Sequence, residues 1–138
     1  MSTTAVVKKI LIADDEPDIL EIVQYNLQTE GYEVITAKNG NEAIELAKKH
    51  QPDLIILDIM MPGKNGIEVC NILRLQPSFH KTLIVFLTAL SDEGTEVKGL
   101  ETGADDYLTK PISPKVLISK VNALFRRLNK DEAAGILQ

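Results

Sequence analysis

Short, wholly apolar runs alternate with stretches of helical spacing along this chain, and that alternation restricts the fold more than any other feature of the sequence. Ile10–Ala13, Leu54–Leu57 and Leu83–Leu87 contain no polar residue, the pattern of strands covered on both faces. Tyr32–Ala37 alternates more, which places it nearer a sheet edge, and Asp106–Thr109 reads as a short last strand. The first strand is expected over Lys9–Asp14, the third over Leu54–Asp58 and the fourth over Leu83–Thr88. Strand and helix therefore alternate five times. Right-handed crossovers then put helices on both faces of a parallel sheet. The expected class is α/β: a five-stranded, doubly wound parallel sheet of flavodoxin-like order 2-1-3-4-5, with its switch point between strands 1 and 3.

The helices carry their own start and stop signals. The first enters at Glu16-Pro17, because proline's missing N–H is no loss in a first turn. It should bury Leu20, Val23 and Leu27 and stop at Gly31. The second begins near Asn39, with Glu42 as a capping-box-like partner, and ends at Gln51-Pro52. The third follows the turn Met61-Pro62-Gly63, with Gly66 marking its approach, and runs to about Leu75. A fourth, over roughly 92–101, contains Gly94, Thr95 and Gly99; an interior glycine costs about 1 kcal/mol relative to alanine, so this helix is the most easily remodelled. The last has Ser113 as N-cap, Pro114 in its first turn, and Leu117, Val121, Leu124 and Leu128 on one face. One domain is expected over residues 8–128, after a flexible segment 1–7 and before a tail or linker start at 129–138.

Bulk properties narrow the function classes. At 138 residues one core suffices, since a domain near this size buries roughly 70% of its unfolded surface. The formal charge of −5 argues against direct DNA binding by this segment, which needs clustered Lys and Arg. Cys70 stands alone, so no internal disulfide forms, and a reducing compartment suits it. Met1–Ala5 has no signal-peptide hydrophobic region, and the longest apolar run, Leu83–Leu87, falls far short of the roughly 20 residues that span a bilayer. A cytoplasmic location without a membrane partner is expected.

Five polar residues stand where the strands stop. Asp14 and Asp15 follow the first run, Asp58 the third, Thr88 closes the fourth, and Lys110 closes Tyr107-Leu108-Thr109 before Pro111. A parallel sheet gathers them at one edge. Three clustered carboxylates repel one another, and a hard divalent cation removes that cost. Magnesium suits oxygen ligands and commonly pairs one or two carboxylates with a phosphate. One carboxylate can then attack phosphorus, while Lys110 offsets charge on the transferring oxygens and Thr88 donates a hydrogen bond.

These positions resemble the receiver domain of bacterial two-component response regulators, over about Lys9–Arg127. The resemblance rests on Asp14-Asp15, on Leu57-Asp58-Ile59-Met60-Met61-Pro62-Gly63 with Gly66, on Thr88-Ala89, and on Gly103–Pro111. In motif it is closest to receivers of the winged-helix transcription-factor subfamily. It implies that Asp58 accepts a phosphoryl group from a sensor histidine kinase or a phosphotransfer protein. Asp15 would bind Mg2+ directly and Asp14 largely through water, with Asp58 and the Met60 carbonyl as further ligands. Lys110 would pair with the phosphoryl group, and the Lys110-Pro111 bond would be cis, an isomer costing about 0.5–1 kcal/mol at proline. The Thr88 hydroxyl would then move towards the new oxygens and Tyr107 turn inward, changing the surface formed by the fourth helix, fifth strand and fifth helix. Such a domain is a phosphoacceptor rather than an enzyme, although it takes part in its own phosphorylation and slow autodephosphorylation. The downstream output domain or partner protein stays open.

Two departures from the family pattern carry expectations. Glu96 and Val116 stand where related regulators place a basic residue and a glutamate, so that cross-subunit ion pair cannot form, although Asp106 with Lys120 could preserve another. A monomer or a weak phosphorylation-dependent dimer is expected. Met60 and Leu90, two residues beyond Asp58 and Thr88, are apolar and cannot orient an attacking water, so the phosphoryl group should be long-lived. Blander readings exist for single residues. An isolated aspartate after a strand is commonly a solvated turn or cap, Tyr107 alone reads as an edge-strand aromatic, and Cys70 and the Met60-Met61 side chains read as packing. Rival functions fit less well. A degenerate docking receiver would lack the acceptor or the lysine. A magnesium-dependent aspartyl-phosphate phosphatase would carry a second aspartate two residues after its nucleophile, where this chain reads Asp14-Asp15-Glu16. A flavin carrier would need a hydroxyl- and glycine-rich loop after strand 1.

Overall fold

The computed structural model describes residues 6–89 and 103–137, of which 131–137 are described as backbone. The strands are β1 (Lys9–Ala13), β2 (Glu33–Ala37), β3 (Leu54–Asp58), β4 (Leu83–Ala89) and β5 (Asp106–Lys110). Around them lie α1 (Pro17–Thr29), α2 (Gly40–His50), α3 (Gly66–Arg74), a single 3-10 turn at Pro77–Phe79, and a C-terminal helix (Pro114–Leu137). All strand pairs are parallel and the order is β2-β1-β3-β4-β5. The doubly wound sheet read from the apolar runs is therefore the sheet that forms. β2 sits at an edge with only Ala37 fully buried, whereas every residue of the central β3 is buried.

Alternation along each strand splits the core into two layers. Ile10, Ile12, Leu54, Ile56, Val85 and Leu87 face α1 and the C-terminal helix, meeting Leu20, Val23, Leu27, Leu117, Val121 and Phe125. Leu11, Ala13, Ile55, Leu57, Ile84 and Phe86 face α2 and α3, meeting Ala43, Ala47, Val69, Cys70 and Leu73. A fully buried Leu, Ile or Val contributes about 1.5–3 kcal/mol relative to exposure, so these two layers hold the sheet level.

Local signals set the helix ends. α1 starts at Pro17, and Gly31 leaves its far end at φ 93°, a conformation that favours glycine. The Asn39 side chain accepts from Glu42 N at 2.8 Å to open α2. The full reciprocal box opens α3 instead: Glu68 N donates to Asn65 Oδ1 (2.9 Å) and Asn65 N to Glu68 Oε1 (3.1 Å). Ser113 Oγ accepts from Val116 N at 3.3 Å at the start of the C-terminal helix. That helix continues to Leu137, through the stretch read as tail or linker. Its apolar stripe stops at Leu128, but Lys130, Glu132, Ala133 and Ala134 are good helix formers and propagate the turn. The fourth helix expected over 92–101, together with Leu90, Glu96 and residues 1–5 of the expected flexible segment, lies outside the described residues.

At the amino end of the sheet Arg74 ties several elements together. Its guanidinium donates to the carbonyls of Phe79 (2.8 Å), Thr82 (2.7 Å) and Gly103 (2.9 Å) and pairs with Asp105 Oδ2 at 3.1 Å. Asp105 Oδ2 also accepts from Ile84 N at 2.8 Å. The end of α3 is thereby fastened to the starts of β4 and β5.

Candidate phosphoacceptor site

The parallel register delivers the polar residues to the carboxyl edge. Ala13 pairs with Leu57, so the next residues, Asp14 and Asp58, lie side by side. Asp58 pairs with Leu87, which puts Thr88 one step beyond, and Ala89 pairs with Lys110. Asp14, Asp58 and Thr88 are buried (0%, 3% and 1% exposed), a cost that calls for compensation. Asp15 is exposed at the rim.

The two buried aspartates are fixed in the same way. Asp14 Oδ1 accepts from the amide of Glu16 at 2.8 Å, and Asp58 Oδ1 from the amide of Met60 at 3.1 Å. Each is an Asx-type turn, in which a side chain holds the amide two residues on. Their Oδ2 atoms then converge on Lys110 Nζ, at 3.1 Å from Asp14 and 3.3 Å from Asp58. Asp14 Oδ2 has the ion pair but no hydrogen bond of good angle, so this buried oxygen is electrostatically balanced and still without a directed donor. Lys110 also reaches Glu16 Oε2 at 3.2 Å, and the Lys110-Pro111 bond is cis.

The energetics follow from burial. Asp58 is pushed up to about 6, first by burial and then by the charge of Asp14, with Lys110 and the Met60 amide pulling the other way. Asp14 is raised as well, by burial above all, against the Glu16 amide and Lys110. Burial alone would lower Lys110, but Asp14, Asp58 and Glu16 outweigh it and hold the ammonium above the ordinary lysine range. One ammonium is thus shared by three carboxylates. The cluster is short of positive charge.

A hard cation fits that shortage. One oxygen from each of Asp14, Asp15 and Asp58 lies within 4.8 Å of the others, an all-oxygen donor set, and Asp14 Oδ2 is the buried oxygen without a directed donor.

The remaining sequence-derived positions are placed as follows. The Thr88 hydroxyl donates to Ala89 O at 3.2 Å. Tyr107 is half-buried, with Lys120 Nζ 5.0 Å from its ring centroid. Met61 packs in the core, but Met60 is 67% exposed, which corrects its reading as a packing residue. β3 ends at Asp58 and the loop turns outward there, so the Met60 amide reaches back to Asp58 Oδ1 while its side chain is exposed. Glu16 was missed as a site residue. Its signal was available in the sequence, as a third acidic residue directly after Asp14-Asp15.

A doubly wound sheet with three aspartates, a threonine and a lysine at its carboxyl edge defines a response-regulator receiver. The family model of the response regulator receiver domain matches residues 10–122, and the chain belongs to that family. It is a phosphorylation-controlled signalling domain of the two-component type. A curated relative, the alkaline phosphatase synthesis transcriptional regulatory protein PhoP of Bacillus subtilis (strain 168), is 51% identical over 120 residues. The match covers 87% of this chain and 49% of PhoP, so the chain spans about half the length of that relative. Among solved structures, the chemotaxis response regulator CheY4 of Vibrio cholerae superposes with a TM-score of 0.81 at 35% identity, covering 86% of this chain and 98% of CheY4. NtrX from Brucella abortus gives 0.89 at 25% identity, over 96% of this chain and 30% of NtrX. No helix among the described residues is long and apolar enough to cross a membrane.

Proposed function

We propose that Asp58 is the phosphoacceptor, and that Asp14, Asp15, Asp58 and the Met60 carbonyl hold Mg2+. The observation that carries this reading is the buried Asp58 carboxylate, with Oδ1 pinned by the Met60 amide and Oδ2 facing Lys110 at 3.3 Å. When bound, Mg2+ supplies the positive charge that lets clustered carboxylates stay ionised beside an incoming phosphoryl group. Asp58 Oδ2 is the nucleophile. It forms a P–O bond as the P–N bond of a phosphohistidine donor breaks, and the imidazole leaves with the electron pair and takes a proton. Lys110 offsets charge on the phosphoryl oxygens, and the Thr88 hydroxyl exchanges Ala89 O for one of them. The modification adds about 1.5 to 2 negative charges at neutral pH. Those charges bias Thr88 and Tyr107 between two arrangements, a population shift that reaches β5 and the C-terminal helix.

The partner in this reading is a sensor histidine kinase or phosphotransfer protein, and the receiver itself works in the cytoplasm. The kinship with a transcriptional regulatory protein favours a DNA-binding output carried outside residues 6–137, with no DNA contact by the acidic receiver itself. Lys120 pairs with Asp106 of its own chain at 3.4 Å and donates to Tyr107 O at 2.7 Å, so it is already engaged within the subunit. A monomer or a weak dimer after phosphorylation is the expected state, checked by sedimentation with and without a phosphoryl mimic. The exposed, apolar Met60 side chain supports a phosphoryl lifetime of minutes or more, checked by phosphate release. The deciding experiment for the function is incubation with acetyl phosphate and Mg2+. The intact chain should gain one phosphoryl group, and Asp58→Asn should gain none.

A further inference from the structure

Between β2 and α2 lies a segment that touches both carboxylate-bearing loops. At one end, Asp14 N donates to Ala37 O at 3.1 Å, tying the loop after β1 to the end of β2. At the other end, the first turn of α2 presses on the loop between β3 and α3. A Cβ placed on Gly40 would overlap the Lys64 carbonyl oxygen and stand 2.8 Å from Lys64 Cβ and 2.9 Å from its carbonyl carbon. Beside it, Lys64 Nζ donates to Asn41 Oδ1 at 3.0 Å. The same loop is gripped from its far side, where a Cβ on Gly66 would stand 2.5 Å from Asp58 O and 3.1 Å from Ile59 Cα. Alanine is the better helix former at position 40, so local propensity does not ask for glycine there. Close approach of the two backbones does.

We propose that residues 37–41 are a brace that sets the spacing between the Asp14 loop and the Asp58 loop, with Gly40 as the positioning residue that lets the brace close. A side chain at position 40 pushes Lys64 away and drags the loop that carries the Met60 carbonyl and the Met60 amide. The Asp58 carboxylate loses its fixed orientation while its chemistry is untouched. Gly40 is therefore a determinant of divalent-cation affinity, not a catalytic residue. This inference rests on the proposed cation site.

The test is calorimetric titration of Mg2+ into the full 138-residue chain without phosphodonor, alongside labelling rates with acetyl phosphate across Mg2+ concentrations. Gly40→Ala should weaken Mg2+ about 10-fold or more, the usual range when a support behind a ligand is lost. Its maximal labelling rate should return to the wild-type value at saturating Mg2+. Gly31→Ala is the control. Gly31 has φ 93° and nothing within 4 Å of an added Cβ, so it should lower stability and leave Mg2+ affinity unchanged. A folded Gly40→Ala protein with wild-type Mg2+ affinity overturns the brace, as does equal weakening in Gly31→Ala. Should Gly40→Ala not fold, the double variant Asn41→Ala/Lys64→Ala decides. It removes an exposed hydrogen bond of the brace and should weaken Mg2+ about threefold. Unchanged affinity there overturns the proposal. If the wild-type chain binds Mg2+ and is labelled, only the brace has failed; if it does neither, the acceptor reading has failed with it.

Discussion

At the amino end of the sheet, Arg74 and Asp105 are partly buried (19% and 29% exposed), and all three guanidinium nitrogens donate to an oxygen. At the carboxyl end, Asp14 and Asp58 are more deeply buried, share one ammonium, and leave Asp14 Oδ2 without a directed donor. Both ends hold charges out of water, yet only one satisfies them. A satisfied network of this kind rigidifies, whereas an unsatisfied one stores free energy that a ligand can release. The sheet thus has one end whose charges are fully paired and one left short of positive charge, as the proposed acceptor site requires.

The largest effect that could break this contrast is loss of labelling. Asp58→Asn keeps the shape of the side chain but removes the proposed nucleophile, so phosphorylation by acetyl phosphate should vanish, as read by intact-chain mass. Residual labelling at the wild-type rate would move the acceptor elsewhere. At the opposite end, Arg74→Ala should do the reverse. It strips donors from the carbonyls of Phe79, Thr82 and Gly103 and unpairs Asp105, for a loss of about 2–4 kcal/mol in urea unfolding. Mg2+ affinity should hold under conditions where the variant stays folded. A loss well under 1 kcal/mol, or a changed Mg2+ affinity, would erase the distinction between the ends.

How far these two ends could be read from the sequence differs for a physical reason. The carboxyl end was legible because β-strand periodicity fixes both where each strand stops and which residue stands next. Asp14, Asp58, Thr88 and Lys110 follow directly from that periodicity and the sheet order. The amino end was opaque. Arg74 meets Gly103 and Asp105 across about thirty residues of chain, and no local pattern announces a contact of that kind. Gly40 escaped for the same cause, since its reason for being glycine is the backbone of Lys64. The C-terminal helix was read too short because its apolar stripe ends at Leu128, while helix propensity carries the backbone on. The box at Asn65–Glu68, by contrast, has a local spacing and is legible in the sequence in a way that the contacts of Arg74 are not.

A smaller effect concerns proton linkage without metal. Asp58 sits at about 6 in the fold against an ordinary 3.8, so between those values the native state holds a proton that the unfolded chain has released. Stability from this group is present below about 4 and is lost as pH rises through about 6. At about 1.4 kcal/mol per pH unit, the loss is on the order of 1–3 kcal/mol. In EDTA, Asp58→Asn should therefore gain on the wild type as pH is raised from 4 to 7. Mg2+ should shrink that gap by stabilising the wild-type carboxylates. A gap that narrows with pH in EDTA would mean that Asp58 is stabilised as a carboxylate, and the carboxyl end would no longer be the unsatisfied one.

The smallest effect separates position from satisfaction. Asn39 and Asn65 lie near the same edge as Asp58, but each accepts a hydrogen bond from a helix amide. If proximity to the site were what made a residue costly to the fold, Asn65→Ala would relieve the protein as Asp58→Asn does. If satisfaction decides, the sign reverses. Losing either cap should then cost about 1 kcal/mol in EDTA, with Asn39→Ala costing somewhat more than Asn65→Ala, because its bond is part-buried and the Glu68 side chain still accepts from the backbone amide at position 65. Urea unfolding of both variants beside Asp58→Asn reads the signs directly. Two losses and one gain, all from the same edge, would locate the stored free energy in the Asp14–Asp58 pair and not in the edge as a whole.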